Sequence, residues 1–94
     1  MAAPVVHFEI NTKGDAKRLW KFYEDVFQWK VKPMEGPGTY GTVSGEQGKG
    51  IGGGIGQAQQ VPGVTFYIEV PDPEATLKKI EAAGGKTVVP VTEV

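Results

Sequence analysis

The chain has no cysteine, which excludes disulfides, thiolate catalysis and cysteine-ligated zinc. It has one histidine, so a centre with two or more imidazole ligands cannot be built within a single chain, although a dimer could bring two together. It has no excess of charge: 10 Lys+Arg stand against 11 Asp+Glu, a net charge of -1. That balance removes the main electrostatic reason to expect a nucleic-acid partner. No apolar run approaches the roughly 20 residues of a membrane span. The start, MAAP followed by VVHFEI, lacks the basic segment and the long apolar stretch of a signal peptide. The expectation is a cytoplasmic protein with neither membrane nor nucleic acid as partner.

What is present fits one small folded domain. The 94 residues are 39% hydrophobic and 22% charged, a composition that folds but is too short for two independent cores. Fourteen glycines and seven prolines call for frequent turns.

Residues 5–10 (VVHFEI) read as a strand, with Val6, Phe8 and Ile10 on an apolar face and Val5, His7 and Glu9 on the other. Residues 11–14 form a turn, and Asp15 caps a helix running to about Gln28. Leu19, Phe22, Tyr23, Val26 and Phe27 make its apolar stripe. Trp20, Phe22, Tyr23 and Phe27 read as core aromatics. Pro33 and the GPG of residues 36–38 leave room for one short strand at most in residues 29–34. Residues 39–44 (TYGTVS) read as a strand and 45–49 as a hairpin turn. Residues 50–57 (GIGGGIGQ) form a glycine-rich strand, although glycine is costly there and marks close backbone approach. The formal GxGxxG from Gly48 to Gly53 opens no helix and is read as strand or hairpin, not as a phosphate site.

Residues 64–70 (VTFYIEV) are the clearest strand, with Val64, Phe66, Ile68 and Val70 opposite Thr65, Tyr67 and Glu69. Asp72-Pro73 signals a helix start, Leu77 and Ile80 head its apolar stripe, and Gly84-Gly85 ends it. Residues 86–91 read as a further strand until Pro90 disturbs it. The βα unit thus occurs twice: FEI before the Asp15 helix is echoed by IEV before the Asp72 helix. Two such sheets set edge to edge would form a half-open trough lined by the polar strand faces.

VHFEI, then Asp15, then KFYEDVFQW, resembles the opening module of the glyoxalase/bleomycin-resistance/extradiol-dioxygenase (vicinal oxygen chelate) superfamily, and VTFYIEVPDPEATLKKIEAAGGKTVVP resembles the opening of its second module. The resemblance covers nearly the whole chain and implies an α+β fold of paired βαβββ modules enclosing a cavity. On that reading one glyoxalase-like domain spans residues 1–94, with the first module at 1–60 and the start of a truncated second module at 61–94. Gln28 stands where the family often has glycine after the VF pair.

The resemblance also implies where a metal would sit in metal-dependent relatives. His7 matches the ligand on the first strand, and Thr65 falls at the equivalent place in the second module. A carboxylate late in the first module has no counterpart among residues 50–56, and the last ligand's strand is absent. A neutral hydroxyl is a poor partner for His and carboxylate ligands. The expectation is therefore no metal and no cofactor. His7 is then a cavity-wall residue bonded to a neighbour, or a ligand contact or acid–base group, since imidazole suits proton transfer near neutral pH.

Glu9 and Glu69 hold equivalent places in the two modules. They either face one trough, where paired carboxylates could divide acid and base roles, or are simply exposed. Tyr67 shares their polar face and could stack on an organic ligand. The leading expectation is a metal-independent small-molecule-binding protein with His7, Glu9, Thr65, Tyr67 and Glu69 as ligand contacts. The alternatives are a metal-dependent glyoxalase-type lyase or isomerase and a drug-sequestering protein of the bleomycin-resistance kind. The edge of residues 64–70 would invite a second chain, so a homodimer is expected.

Overall fold

The computed structural model describes residues 2–36, 39–45, 49–58 and 61–91. Its elements are β1 (Val5–Thr12), α1 (Ala16–Phe27), β2 (Val31–Pro33), β3 (Tyr40–Val43), β4 (Gly53–Gln57), β5 (Gly63–Ile68) and α2 (Pro73–Ala82). The class is α+β: five strands form one mixed sheet in the order β2-β3-β4-β1-β5. β1 runs parallel to β4 and antiparallel to β5, while β2-β3 and β3-β4 are antiparallel. The chain divides into two compact units, Val5–Ile68 and a second made of Met1–Pro4 with Glu69–Val94.

The larger unit holds the whole sheet and α1. Asp15 caps α1, its carboxylate accepting from the Lys17 N–H at 3.0 Å. Gln28 ends it in the left-handed region at φ 62°, the one non-glycine residue with positive φ among the described residues. The chain then turns so that Trp29 stacks on Tyr23 at 4.7 Å between ring centroids and meets Phe8 at 5.7 Å.

Register assigns the faces. Phe8, Gly53 and Val43 lie in one row across β1, β4 and β3, and Ile10, Ile55 and Gly41 in the next on the same face. This is the face α1 covers, and Ala16, Val43 and Ile55 are its buried apolar residues. Two strand positions on this face carry no side chain and admit rings, one from the neighbouring strand and one from the helix. A Cβ on Gly53 would come within 2.5 Å of the Phe8 ring, and one on Gly41 within 2.9 Å of the Trp20 indole. Trp20 Nε1–H donates to the Ile55 carbonyl at 2.8 Å, pinning the helix to the centre of the sheet.

Several expectations need correcting. Of the expected stripe of α1, Leu19 and Tyr23 are half-buried, as is Trp20, but Phe22 is 51% and Val26 55% exposed and Phe27 is exposed as well; the buried residue of the helix is Ala16. The helix covers only part of its face of the sheet as well, since Phe66 and Val64, paired with Phe8 and Ile10, are 61% and 73% exposed. β1 runs two residues past Ile10, because Asn11 and Thr12 find backbone partners in Gly56 and Gln57. At its other end the register steps from Val5/Ile68 to His7/Tyr67, so Val6 is the extra residue of a bulge and drops out of the Phe8–Ile10 row. The hairpin turn expected at 45–49 falls mostly outside the described residues, as does Gly48.

In the smaller unit Asp72 caps α2 by accepting from Ala75 N–H at 3.1 Å, Pro73 opens the helix, and Gly84 leaves it at φ 100°. Leu77 is half-buried, but Ile80 is exposed. Residues 86–91 form no strand. Pro90 lacks the N–H a ladder needs, and Val88 and Val89 are exposed.

Candidate functional site

The face of the sheet opposite α1 carries the polar residues. Alternation from Phe8 and Ile10 puts His7, Glu9 and Asn11 there, and pairing adds Tyr67 opposite His7 and Thr65 opposite Glu9. On the other side of β1, Glu9 pairs with Gly54 and Asn11 with Gly56, which in turn pair with Thr42 and Tyr40 of β3. The glycines leave a bare stretch of strand, and the Tyr40 side chain fills it. A Cβ on Gly54 would collide with the Tyr40 hydroxyl, and one on Gly56 would lie 2.7 Å from the Tyr40 ring.

Lying flat, Tyr40 reaches across β4 and donates its phenolic O–H to Glu9 Oε2 at 3.1 Å. His7 Nε2 stands 4.0 Å from the same oxygen, an ion-pair separation when the imidazole is protonated but too long for a hydrogen bond. The Tyr67 ring meets the His7 ring edge-on at 5.3 Å. Glu9 is thus the hub, with Tyr40, His7 and Tyr67 around it.

Both phenols register this environment. Burial first, then the Glu9 charge and its hydrogen bond, push the Tyr40 phenol up to about 12. The same causes in the same order raise Tyr67 above the ordinary tyrosine value. At neutral pH both are therefore neutral hydroxyls that can donate to a carboxylate or a ligand.

Four of the five expected contacts, His7, Glu9, Thr65 and Tyr67, share this face. β5 ends at Ile68, and Glu69 belongs to the smaller unit, where its N–H donates to the Pro4 carbonyl at 2.9 Å. Tyr40 was not among the expected contacts. Its signal was present in TYGTVS, where Tyr40 and Thr42 alternate with Gly41 and Val43, but its meaning needed β3 to lie one strand away from β1.

The donor set does not fit the metal centre that the resemblance implies for metal-dependent relatives. His7 and Glu9 are joined by phenols and by the Thr65 hydroxyl, neutral oxygens that bind zinc or iron weakly. Among the described residues no group of three or more His, Asp or Glu is placed to hold a metal ion. Nor, among them, is any helix long and apolar enough to cross a membrane.

No protein-family model matches the chain, and no curated protein matches its sequence.

Proposed function

We propose that this chain is a glyoxalase-like small-molecule-binding protein whose binding surface is the open sheet face around Glu9, and that it works without a resident metal. The observation that carries this reading is the reach of Tyr40 over the side-chain-free Gly54 and Gly56 to the Glu9 carboxylate. A strand of glycines is a poor way to stabilise a sheet, but it leaves room for the Tyr40 ring to cross β4 and hold its hydroxyl at Glu9, where a ligand can meet both groups. His7, Thr65 and Tyr67 complete the contact set. Element order supports the family reading: β1-α1-β2-β3-β4 is one βαβββ run, and β5, which leads into α2, joins that run edge to edge at β1. A second βαβββ module pairing with the first would continue from there.

The same reading makes the protein a homodimer. β5 is an edge of the sheet, and its six residues (GVTFYI) carry neither charge nor proline. Such an edge lacks the charges and the proline that discourage pairing with another chain.

Binding is tested by screening a mixed fragment set, with cationic, neutral and anionic members, against the isotope-labelled full chain by NMR. Backbone signals of His7, Glu9, Tyr40 and Tyr67 should shift together on binding. A screen in which fragments move only signals elsewhere, or none, overturns the assignment. Light scattering across a concentration range tests the dimer, and a mass near 10.1 kDa throughout would refute it.

A further inference from the structure

We propose that the open face selects an organic cation, a compact amine or quaternary ammonium with an apolar body. The proposal rests on the reading of this face as a small-molecule site and adds the sign of the ligand's charge.

The first ground is an uncompensated carboxylate. The Glu9 side chain is only 25% exposed. Among the described residues the sole basic group within ion-pair distance of it is His7, at 4.0 Å, and that group is a cation only when protonated. The hydrogen bond from Tyr40 orients the carboxylate without neutralising it. A ligand that covers Glu9 removes water from a charge, and without a positive group of its own it leaves that charge unpaired. An anion would add repulsion.

The second ground is the surroundings of that carboxylate. The Tyr40 ring lies against Gly54 and Gly56, and the Tyr67 and His7 rings stand at 5.3 Å from each other on the neighbouring strands. Aromatic faces attract a cation held within about 6 Å of the ring centroid, most strongly when it is partly desolvated. Carboxylate and ring faces together suit an ammonium head and its methyl or methylene groups. The phenols of Tyr40 and Tyr67, raised first by burial and then by the Glu9 charge, agree with this field in their second cause.

The test uses three probes of one size and shape: choline, 3,3-dimethylbutan-1-ol as its neutral counterpart, and 3,3-dimethylbutanoate as an anionic one. Each is titrated into the isotope-labelled full chain at neutral pH and low salt. Choline should shift the His7, Glu9, Tyr40 and Tyr67 signals and bind at least about tenfold more tightly than the alcohol, a difference of about 1.4 kcal/mol. The butanoate should leave them unmoved. Glu9→Gln should bring choline down to the level of the alcohol. If that variant does not fold, Tyr67→Leu, at an exposed position, should weaken choline severalfold. Equal affinity for choline and the alcohol, preference for the butanoate, or a Tyr67→Leu chain that holds choline as before would each overturn the cation proposal. In the first two cases the small-molecule reading survives. Silence from all three probes also overturns the cation, whereas the small-molecule reading falls only if the wider fragment set leaves this face unmoved too.

Discussion

β4 presents glycine to both faces of the sheet, and each face accepts a different ring. Toward α1, Gly53 admits Phe8, and Gly41 on the adjacent strand admits Trp20. Toward the open side, Gly54 and Gly56 admit Tyr40. On the closed face the rings are followed by a helix, an indole hydrogen bond and the Trp29–Tyr23 stack. On the open face the ring ends in a phenol bonded to a carboxylate. The closed face turns glycine into close packing, whose return is stability. The open face turns it into reach, whose return is a polar group held at a fixed place.

The sharpest break between the faces is expected from neighbouring residues of β1. Phe8→Ala removes a ring wedged between Gly53 and Trp29 and should cost about 3 kcal/mol. His7→Ala, on the open face, should cost less than about 1 kcal/mol, as exposed substitutions usually do. Urea denaturation of the two variants measures both. If His7→Ala were the more damaging, the assignment of faces would be wrong.

Gly54→Ala should come next. The added methyl occupies the place of the Tyr40 hydroxyl, so the ring must leave its groove and release Glu9. Overpacking of this kind costs about 1–2 kcal/mol when a side chain can swing away. The phenol that titrates near 12 should then move back toward 10, read by ultraviolet absorbance against pH. A variant whose highest tyrosine midpoint stays near 12 would show that Tyr40 does not depend on the bare strand.

Much of the local structure, helix ends and the inward side of β1, could be read from the sequence alone. Local chemistry wrote Asp15 and Asp72-Pro73 as helix starts, Gly84 as a stop, and Phe8 and Ile10 as the inward side of β1. The open face was half legible. Alternation alone placed His7 with Glu9 and Thr65 with Tyr67, yet Tyr40 lies 31 positions from Glu9 and meets it only because β4 comes between β3 and β1. No pattern within β3 encodes that neighbour. Glu69 shows the opposite limit: it follows the last residue of β5, so alternation with Thr65 and Tyr67 does not by itself assign it a face. The exposed Phe22 and Val26 mark a third limit, since helical spacing reports which residues are apolar and not which of them meet the sheet.

Glu9→Gln sharpens the comparison electrostatically while keeping the shape. Glu9's charge is second to burial in raising Tyr40 and Tyr67, so both phenols should titrate lower in the variant, with Tyr40 still above its ordinary value. The sign for stability follows. A phenol raised in the folded state favours folding fully below about pH 10, and that contribution is lost as pH rises toward 12. The wild type should therefore lose stability over that window more steeply than Glu9→Gln. Matching slopes in denaturation at pH 9, 10 and 11 would mean that Glu9 does not set the field on this face.

The smallest effect is expected at the exit of α1, where the closed face carries its one departure from local preference. Gln28 adopts φ 62°, and its N–H still closes the helix by donating to the Glu24 carbonyl at 3.0 Å. A side chain in this region meets its own backbone at a cost of about 1 kcal/mol or more, whereas glycine occupies it freely. The strain is held because the turn delivers Trp29 onto Tyr23 and Phe8. Gln28→Gly should relieve it without moving Trp29, and the larger freedom of glycine in the unfolded chain offsets part of the gain. The expected net is a stabilisation of about 0.5–1 kcal/mol, visible as a higher melting temperature. Gln28→Ala keeps a Cβ in the same region and should bring no gain. If the two variants melted together, the exit would not be strained, and the left-handed turn would be held by something other than the Trp29 stack. The open face should be indifferent to either change, with the Tyr40 midpoint remaining near 12 in both.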